Sequence, residues 1–324
     1  MLLDVVELAI DLPAPDGWRR VVDRVSFGLD EGESLGVVGE SGSGKTMTAL
    51  AIMGLAPDGA EVKGSIRFEG RELVGLTEEA MGQLRGDRIA MVFQEPMTAL
   101  NPLRGVGAQV AEPLMLHRGL AGHEARGRAA QLLERVGLAE PERAARSYPF
   151  MLSGGERQRA MIAMAIGCGP RLVIADEPTT ALDVTVQARI LALIDGLRSE
   201  SGMGVLLVSH DLAVIAGHCD RVIVMYAGVI MEMGPVQAVM AEPRNPYTLA
   251  LLEARPRPGA PRGSRLKTIP GAPELKSGPS AGCPFAGRCA LTMDICWTTP
   301  PPEAAFGLNH VSRCHRASEL GRAP

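Results

Sequence analysis

Gly39-Glu40-Ser41-Gly42-Ser43-Gly44-Lys45-Thr46 follows the apolar run Ser34-Leu35-Gly36-Val37-Val38 and opens into Met47-Thr48-Ala49-Leu50. It satisfies G-x-x-x-x-G-K-[ST], the phosphate-binding loop between a buried strand and a helix. The glycines let the backbone curl so tightly that successive N–H groups converge on one concavity. The N-terminus of the following helix adds its partial positive charge. Such a nest binds polyphosphate: Lys45 would reach the β- and γ-phosphates as a point charge, and the Thr46 hydroxyl would ligate a bridging Mg²⁺. The loop alone specifies a nucleotide and leaves kinase, GTPase and transport motor open.

The rest of the chain narrows these classes. Its 324 residues are enough for one large domain or two ordinary ones, and the 46% apolar and 22% charged fractions are those of a globular protein. A net charge of -4 argues against general nucleic-acid binding, so no nucleic-acid partner is expected. The first twenty residues have neither a basic start nor a sustained apolar core, which reads as a cytoplasmic protein without a signal peptide. The longest apolar run, residues 160–168, is far short of the ~20 residues that cross a bilayer. Any membrane role must therefore come through partners.

Before the loop, residues 3–12 and 21–29 alternate in part around Pro13, Pro15, Asp16 and Gly17, the pattern of a two-stranded hairpin. Trp18, near that turn, offers a face for an adenine ring or serves as a surface anchor. After the loop come a helix, a strand over residues 66–69, a helix start at Thr77-Glu78-Glu79-Ala80, and a buried strand over 89–93. That strand ends at Gln94, placed to touch a metal or an attacking water, although alone it reads as a polar loop residue. Residues 103–165 are mostly helical in period, so a helical subdomain interrupts the α/β frame. Near its end, Leu152-Ser153-Gly154-Gly155-Glu156 precedes a helix, either as a second nest for anionic oxygens or as a plain serine cap.

The apolar strand Leu172-Val173-Ile174-Ala175 delivers Asp176 and Glu177 at its carboxyl end, where ligands of open α/β sheets bind. Asp176 is placed to hold Mg²⁺ and Glu177 to polarise the water that attacks the γ-phosphate. Pro178-Thr179-Thr180-Ala181-Leu182-Asp183 follows, then a helix over 184–198, a strand over 205–208, and His210 at that strand's tip.

In this order, Gly39 to Thr46, Gln94, the Leu-Ser-Gly-Gly-Glu motif, Asp176-Glu177, Ala181-Leu182-Asp183 and His210 resemble the nucleotide-binding domains of ABC transporters. The resemblance covers residues 1–255. More narrowly, Phe93-Gln94-Glu95-Pro96-Met97-Thr98, Met225-Tyr226-Ala227-Gly228 and Asn245-Pro246-Tyr247-Thr248 are similar to the oligopeptide/dipeptide importer group, whose relatives also carry nickel chelates and other small solutes. It implies an α/β P-loop NTPase cassette: a RecA-like core, an antiparallel β subdomain and a helical subdomain over about 103–165, followed by a small cysteine-bearing extension. It further implies an ATPase that packs head to tail with a second ATP-binding subunit, commonly a paralogue in this group, while both half-sites here are intact and would also serve a homodimer. ATP at Lys45 of one would then be closed by Ser153, Gly154 and Gly155 of the other. By the same resemblance Gln94 joins Thr46 and Asp176 on Mg²⁺ and senses the nucleotide, Asp183 couples the two sites, and His210 holds the γ-phosphate. The expected partners are two transmembrane permease subunits and an extracytoplasmic solute-binding protein, placing the chain peripherally on the cytoplasmic face of the membrane. The chain departs from the family at Phe150, where a histidine is usual, and at the adenine-stacking aromatic, whose place falls nearer Asp16 than Trp18. A soluble ABC ATPase of translation or DNA maintenance is the rival class. Such proteins usually carry two cassettes or a long coiled coil, and neither internal duplication nor sustained heptads occurs here.

Residues 256–324 change character, with eleven of the chain's twenty-four prolines, and read as a separate region. The basic group Arg255, Arg257, Arg262, Arg265 and Lys267 reads as a solvated linker. Cys168 and Cys219, in the motor, read as buried free thiols. Cys283, Cys289, Cys296 and Cys314 are spaced C-x5-C-x6-C-x17-C, a complement that suits a [4Fe-4S] cluster or a tetrahedral Zn²⁺. Cys283-Pro284-Phe285 and Arg288-Cys289 resemble the tail of peptide-importer motors, some of which hold such a cluster. This favours iron–sulfur in a structural role over zinc.

Overall fold

Along the central strands, consecutive apolar side chains go to opposite cores, which is why these stretches read as unbroken apolar runs. Ile89, Met91, Leu172, Ile174, Leu206 and Val208 join one core, and Ala90, Val92, Val173, Ala175, Val205 and Leu207 join the other. In the computed structural model that shows this, residues 1–15, 17–180, 182–254, 268–271, 281–307 and 309–321 are described. Asp16, Ala181 and the basic group from Arg255 to Lys267 lie outside the described residues.

The strands in chain order are β1 (Leu3–Ala14), β2 (Gly17–Leu29), β3 (Ser34–Val38), β4 (Glu61–Phe68), β5 (Arg71–Glu72), β6 (Ile89–Val92), β7 (Leu172–Asp176), β8 (Gly204–Ser209), β9 (Arg221–Tyr226), β10 (Val229–Pro235), β11 (Glu303–Ala305) and β12 (Val311–Arg313). They form a four-stranded sheet, β2-β1-β4-β5, and an eight-stranded one, β11-β12-β10-β9-β3-β8-β7-β6. The first is antiparallel throughout. In the second, β9, β3, β8, β7 and β6 run parallel, so their carboxyl ends share one edge. The small sheet covers one face of the large sheet, with Leu8, Ile10, Val25, Ile66 and Phe68 packed in the same core as the inward residues of β6 to β8.

Helices cover the other face. Helix Gly122–Arg135 buries Ala125, Ala129, Leu132 and Leu133, the i, i+4, i+7, i+8 stripe that a 3.6-residue period aligns. Together with Val106–Arg118, Pro141–Arg146 and Gly154–Ile166 it forms the helical segment between β6 and β7.

The cysteine-bearing tail, separate by composition, shares the motor's sheet. Its β11–β12 hairpin pairs antiparallel with β10, with Glu232 opposite Ser312 and Met233 opposite Val311. Polar side chains hold the junction. Asn245 Nδ2 donates to the carbonyls of Met231 (3.0 Å) and Arg313 (3.1 Å), and the buried pair His310 and Glu232 lies at 2.7 Å. A three-residue strand with one apolar member is too short to show a period, so composition alone reads it as loop.

Candidate functional site

The phosphate loop leaves the carboxyl end of β3 and enters helix Lys45–Ile52. Two of its glycines are required by shape. A Cβ on Gly39 would stand 2.1 Å from the Met225 carbonyl oxygen, and Gly44, the helix N-cap, has φ +99°, a left-handed conformation that favours glycine. No side chain caps that helix, and the Ser43 hydroxyl, on a residue 3% exposed, finds no partner among the described residues. Unsatisfied donors converging at a helix N-terminus are the arrangement that binds anionic oxygens.

Lys45 is buried, and its ammonium donates to the loop's own carbonyls at Gly39 (2.8 Å) and Glu40 (3.1 Å). Burial pulls its pKa down, against the attraction of Glu177, Asp176 and Glu40. Thr46 Oγ1 lies 3.2 Å from Asp176 Oδ1, bringing the loop hydroxyl to the carboxylate at the end of β7. Burial also raises the Asp176 pKa, assisted by the neighbouring charge of Glu177 and opposed by Thr46 and Lys45. Paired hard oxygens of this kind suit Mg²⁺.

Glu177, one residue on, has φ +46°. Its N–H donates to the Val208 carbonyl of β8 at 2.9 Å. One carboxylate oxygen, Oε2, gathers Gln94 Nε2 (3.2 Å), Thr180 Oγ1 (2.9 Å) and His210 Nδ1 (3.1 Å). Three residues read separately from sequence, Gln94, Glu177 and His210, thus meet at a single atom because β6, β7 and β8 end at the same edge. Thr180 was missed as a contact, since a Pro-Thr-Thr turn gives no sign of which hydroxyl bends back to the carboxylate.

Ser153, Gly154 and Gly155 sit beside the segment that follows Glu177, where a Cβ on Gly154 would stand 3.4 Å from Leu182 Cδ2. Ser153 caps helix Gly154–Ile166 in a reciprocal box with Glu156, whose Oε2 accepts from the Ser153 N–H at 2.8 Å. A Cβ on Gly155 would lie 2.9 Å from Val186 Cγ1, in the helix that Asp183 caps through the Thr185 and Val186 N–H groups, both at 3.0 Å. Trp18 is half exposed at the tip of the β1–β2 hairpin, opposite Pro13, and Phe150 is also exposed.

In the tail, Cys283, Cys289, Cys296 and Cys314 all line one small pocket with Phe285, Ala286 and Leu291. None is in a disulfide, and the same holds for buried Cys168 and half-buried Cys219. The Leu291 N–H donates to Cys289 Sγ and the Arg316 N–H to Cys314 Sγ, each at 3.4 Å. Burial pushes the Cys283 thiol up to about 12, and proximity to Cys296, Cys314 and Cys289 adds to the rise. As placed, no group of three or more His, Cys, Asp or Glu among the described residues is arranged to hold a metal ion.

Residues 22–180 match the family model described as ABC transporter, and residues 231–296 match the oligopeptide/dipeptide transporter C-terminal region. The chain is 46% identical to the oligopeptide transport ATP-binding protein OppD of Salmonella typhimurium, over 98% of this chain and 95% of that protein. It is also 46% identical to the OppD of Mycobacterium tuberculosis over 97% of this chain, but it spans about half, 52%, of that longer protein. A dimeric ATP-binding cassette solved in a post-hydrolysis state with ADP and Pi is similar over 72% of this chain and 98% of its own, at 29% identity and a TM-score of 0.66. No helix among the described residues is long and apolar enough to cross a membrane.

Proposed function

The chain belongs to the ABC transporter family, in its oligopeptide/dipeptide branch, and on that ground we propose that it is the ATP-hydrolysing motor subunit of a peptide importer. The observation that carries this reading is the Glu177 oxygen shared by Gln94, Thr180 and His210, one residue beyond the Asp176 that meets Thr46. The uncapped helix and Lys45 bind the polyphosphate, Glu177 accepts the proton of the attacking water, and His210 and Gln94 hold that carboxylate and the water in line with the γ-phosphorus. Mg²⁺, held by Thr46, Asp176 and Gln94, would neutralise charge on the β- and γ-oxygens. The chain works peripherally at the cytoplasmic face, paired with a second, paralogous ATP-binding subunit beneath two permease subunits fed by a solute-binding protein. Co-purification with those subunits and ATP-dependent peptide uptake in vesicles test the assignment. A complex that hydrolyses ATP without moving peptide would point to another solute, nickel chelates among them.

Following the family resemblance, the ligand of Ser153, Gly154 and Gly155 is the γ-phosphate bound by the opposing subunit. The dimeric state of the solved cassette supports this. Ser153→Arg or Gly154→Asp is expected to spare folding and ATP binding by the single chain but to block ATP-dependent pairing, since bulk or negative charge would occupy the phosphate's place. Sedimentation with a non-hydrolysable ATP analogue checks it, and normal pairing by either variant would refute the role in trans.

The tail's pocket supports a [4Fe-4S] cluster held by Cys283, Cys289, Cys296 and Cys314. The four free thiols line one small pocket and backbone N–H groups donate to two of the sulfurs, the contacts that tune a cluster's sulfurs, although as placed the thiols are not yet gathered around a metal. Its role is to staple the Pro-rich tail. Protein purified without oxygen is expected to be brown, with about four iron and four labile sulfide per chain, and Cys296→Ser to lose both. Stoichiometric zinc without sulfide would assign the site to zinc instead.

A further inference from the structure

We propose that Arg288, in the tail, is a positioning residue of the phosphate loop, holding Glu40 so that the loop is shaped and charge-balanced for ATP. The inference rests on the ATP-binding reading of that loop. The Arg288 guanidinium meets the Glu40 carboxylate with both arms, Nη1 to Oε2 at 2.5 Å and Nη2 to Oε1 at 2.9 Å, and its side chain is only 8% exposed. The remaining N–H groups are also engaged: Nε donates to the Pro270 carbonyl (2.7 Å), Nη2 to that of Gly271 (3.2 Å), and Nη1 to the Tyr226 hydroxyl (3.3 Å). A guanidinium so completely bonded has one position available to it.

Glu40 is fixed at its backbone as well, where its N–H donates to the Tyr247 hydroxyl at 2.9 Å. Tyr247 is fully buried and packs in a ring trio with Tyr226 and Phe285, centroids 4.8 to 5.2 Å apart. Phe285 precedes the short 3₁₀ turn Ala286–Arg288, so the tail supplies both the arginine and part of the floor beneath it. The second residue of the phosphate loop is thus clamped from two sides, at its backbone by Tyr247 and at its carboxylate by Arg288 of the tail.

The charge arithmetic gives the clamp a purpose. A carboxylate at position 40 lies in a loop built to receive polyphosphate, and unpaired it would repel the ligand and leave a half-buried charge uncompensated. Paired with Arg288 it is neutral toward the phosphates, and the loop backbone is held ready, so less ordering is required on binding. The coupling runs both ways: if the docked tail strengthens ATP binding, ATP must strengthen tail docking by the same factor.

The test is MgATP affinity by equilibrium dialysis on the full-length chain. Arg288→Ala is expected to weaken binding about tenfold, as loss of a charge-assisted fork does. Arg288→Lys, which keeps the charge without the fork, should fall between the two. Adding Glu40→Gln to Arg288→Ala should recover most of the loss, because the unpaired carboxylate is then gone. Amide hydrogen exchange over residues 283–289 should slow with MgATP in wild type and not in Arg288→Ala. Wild-type affinity in Arg288→Ala, or a double variant no tighter than Arg288→Ala, would overturn the proposal. A lowered Tm without recovery by Glu40→Gln would overturn it too, leaving Arg288 as a fastener of the tail. If Arg288→Ala does not fold, Arg288→Lys and the double variant carry the same comparison. Lys45→Ala separates the two readings: ATP lost there but unchanged in Arg288→Ala sinks this inference alone, whereas no binding by wild type removes the parent reading.

Discussion

Glu177→Gln is expected to bind MgATP as wild type does and to hydrolyse it about a hundred- to ten-thousandfold more slowly, the usual contribution of a general base. The amide is isosteric and still bonds Thr180 and His210, so the cluster at that oxygen survives while its capacity to accept a proton at neutral pH does not. The two effects, unchanged affinity and lost turnover, distinguish a base from a fold-maintaining carboxylate. A closed, ATP-loaded pair should accumulate and be visible by sedimentation. The measurement is phosphate release in single turnover, with the partner subunit's corresponding glutamate changed as well, so that a second site cannot supply the activity. Near-normal release from that doubly altered complex would remove Glu177 from the mechanism.

Lys45→Ala is expected to fail one step earlier, at binding. Its ammonium lies within the loop with no carboxylate bonded directly to it among the described residues; it bonds two loop carbonyls and is ready to turn to phosphate. A charge-assisted contact of this kind is worth ~1.5–3 kcal/mol, so affinity for MgATP should drop roughly ten- to a hundredfold. Since Lys45 is also buried, Lys45→Met is the companion variant, filling the space without the charge. Loss in both variants assigns the effect to charge, and retention in Lys45→Met would assign it to packing. Equal binding by wild type and Lys45→Ala would count against the phosphate loop itself.

The sequence carried the residues of the candidate site because each part of it is local. A helix N-terminus needs its glycines and lysine within eight positions, and a strand announces its carboxyl end by the polar residue that stops the apolar run. Asp176, Glu177, Gln94 and His210 were each legible as residues closing a buried strand, and a parallel sheet then had to bring those ends together. The helical segment was equally legible from its 3.6-residue stripe. Less could be read where a contact depended on side-chain direction, as with Thr180, whose identity says nothing of whether it faces solvent or Glu177.

By itself, then, the sequence determined a phosphate-loop motif, the carboxylates that end a neighbouring strand, the frame of alternating strands and helices that holds them, and a set of four thiols in the tail. Local spacing and period dictate all of these. Only the tertiary structure decided that the tail's short strands extend the motor's sheet, that Tyr247 reaches the Glu40 N–H, and that Arg288 grips a carboxylate 248 positions earlier. No periodicity encodes a pair that far apart. The contact exists because β10 and the buried aromatic trio bring the two segments to the same edge of the sheet, where one buried charge has to find its opposite.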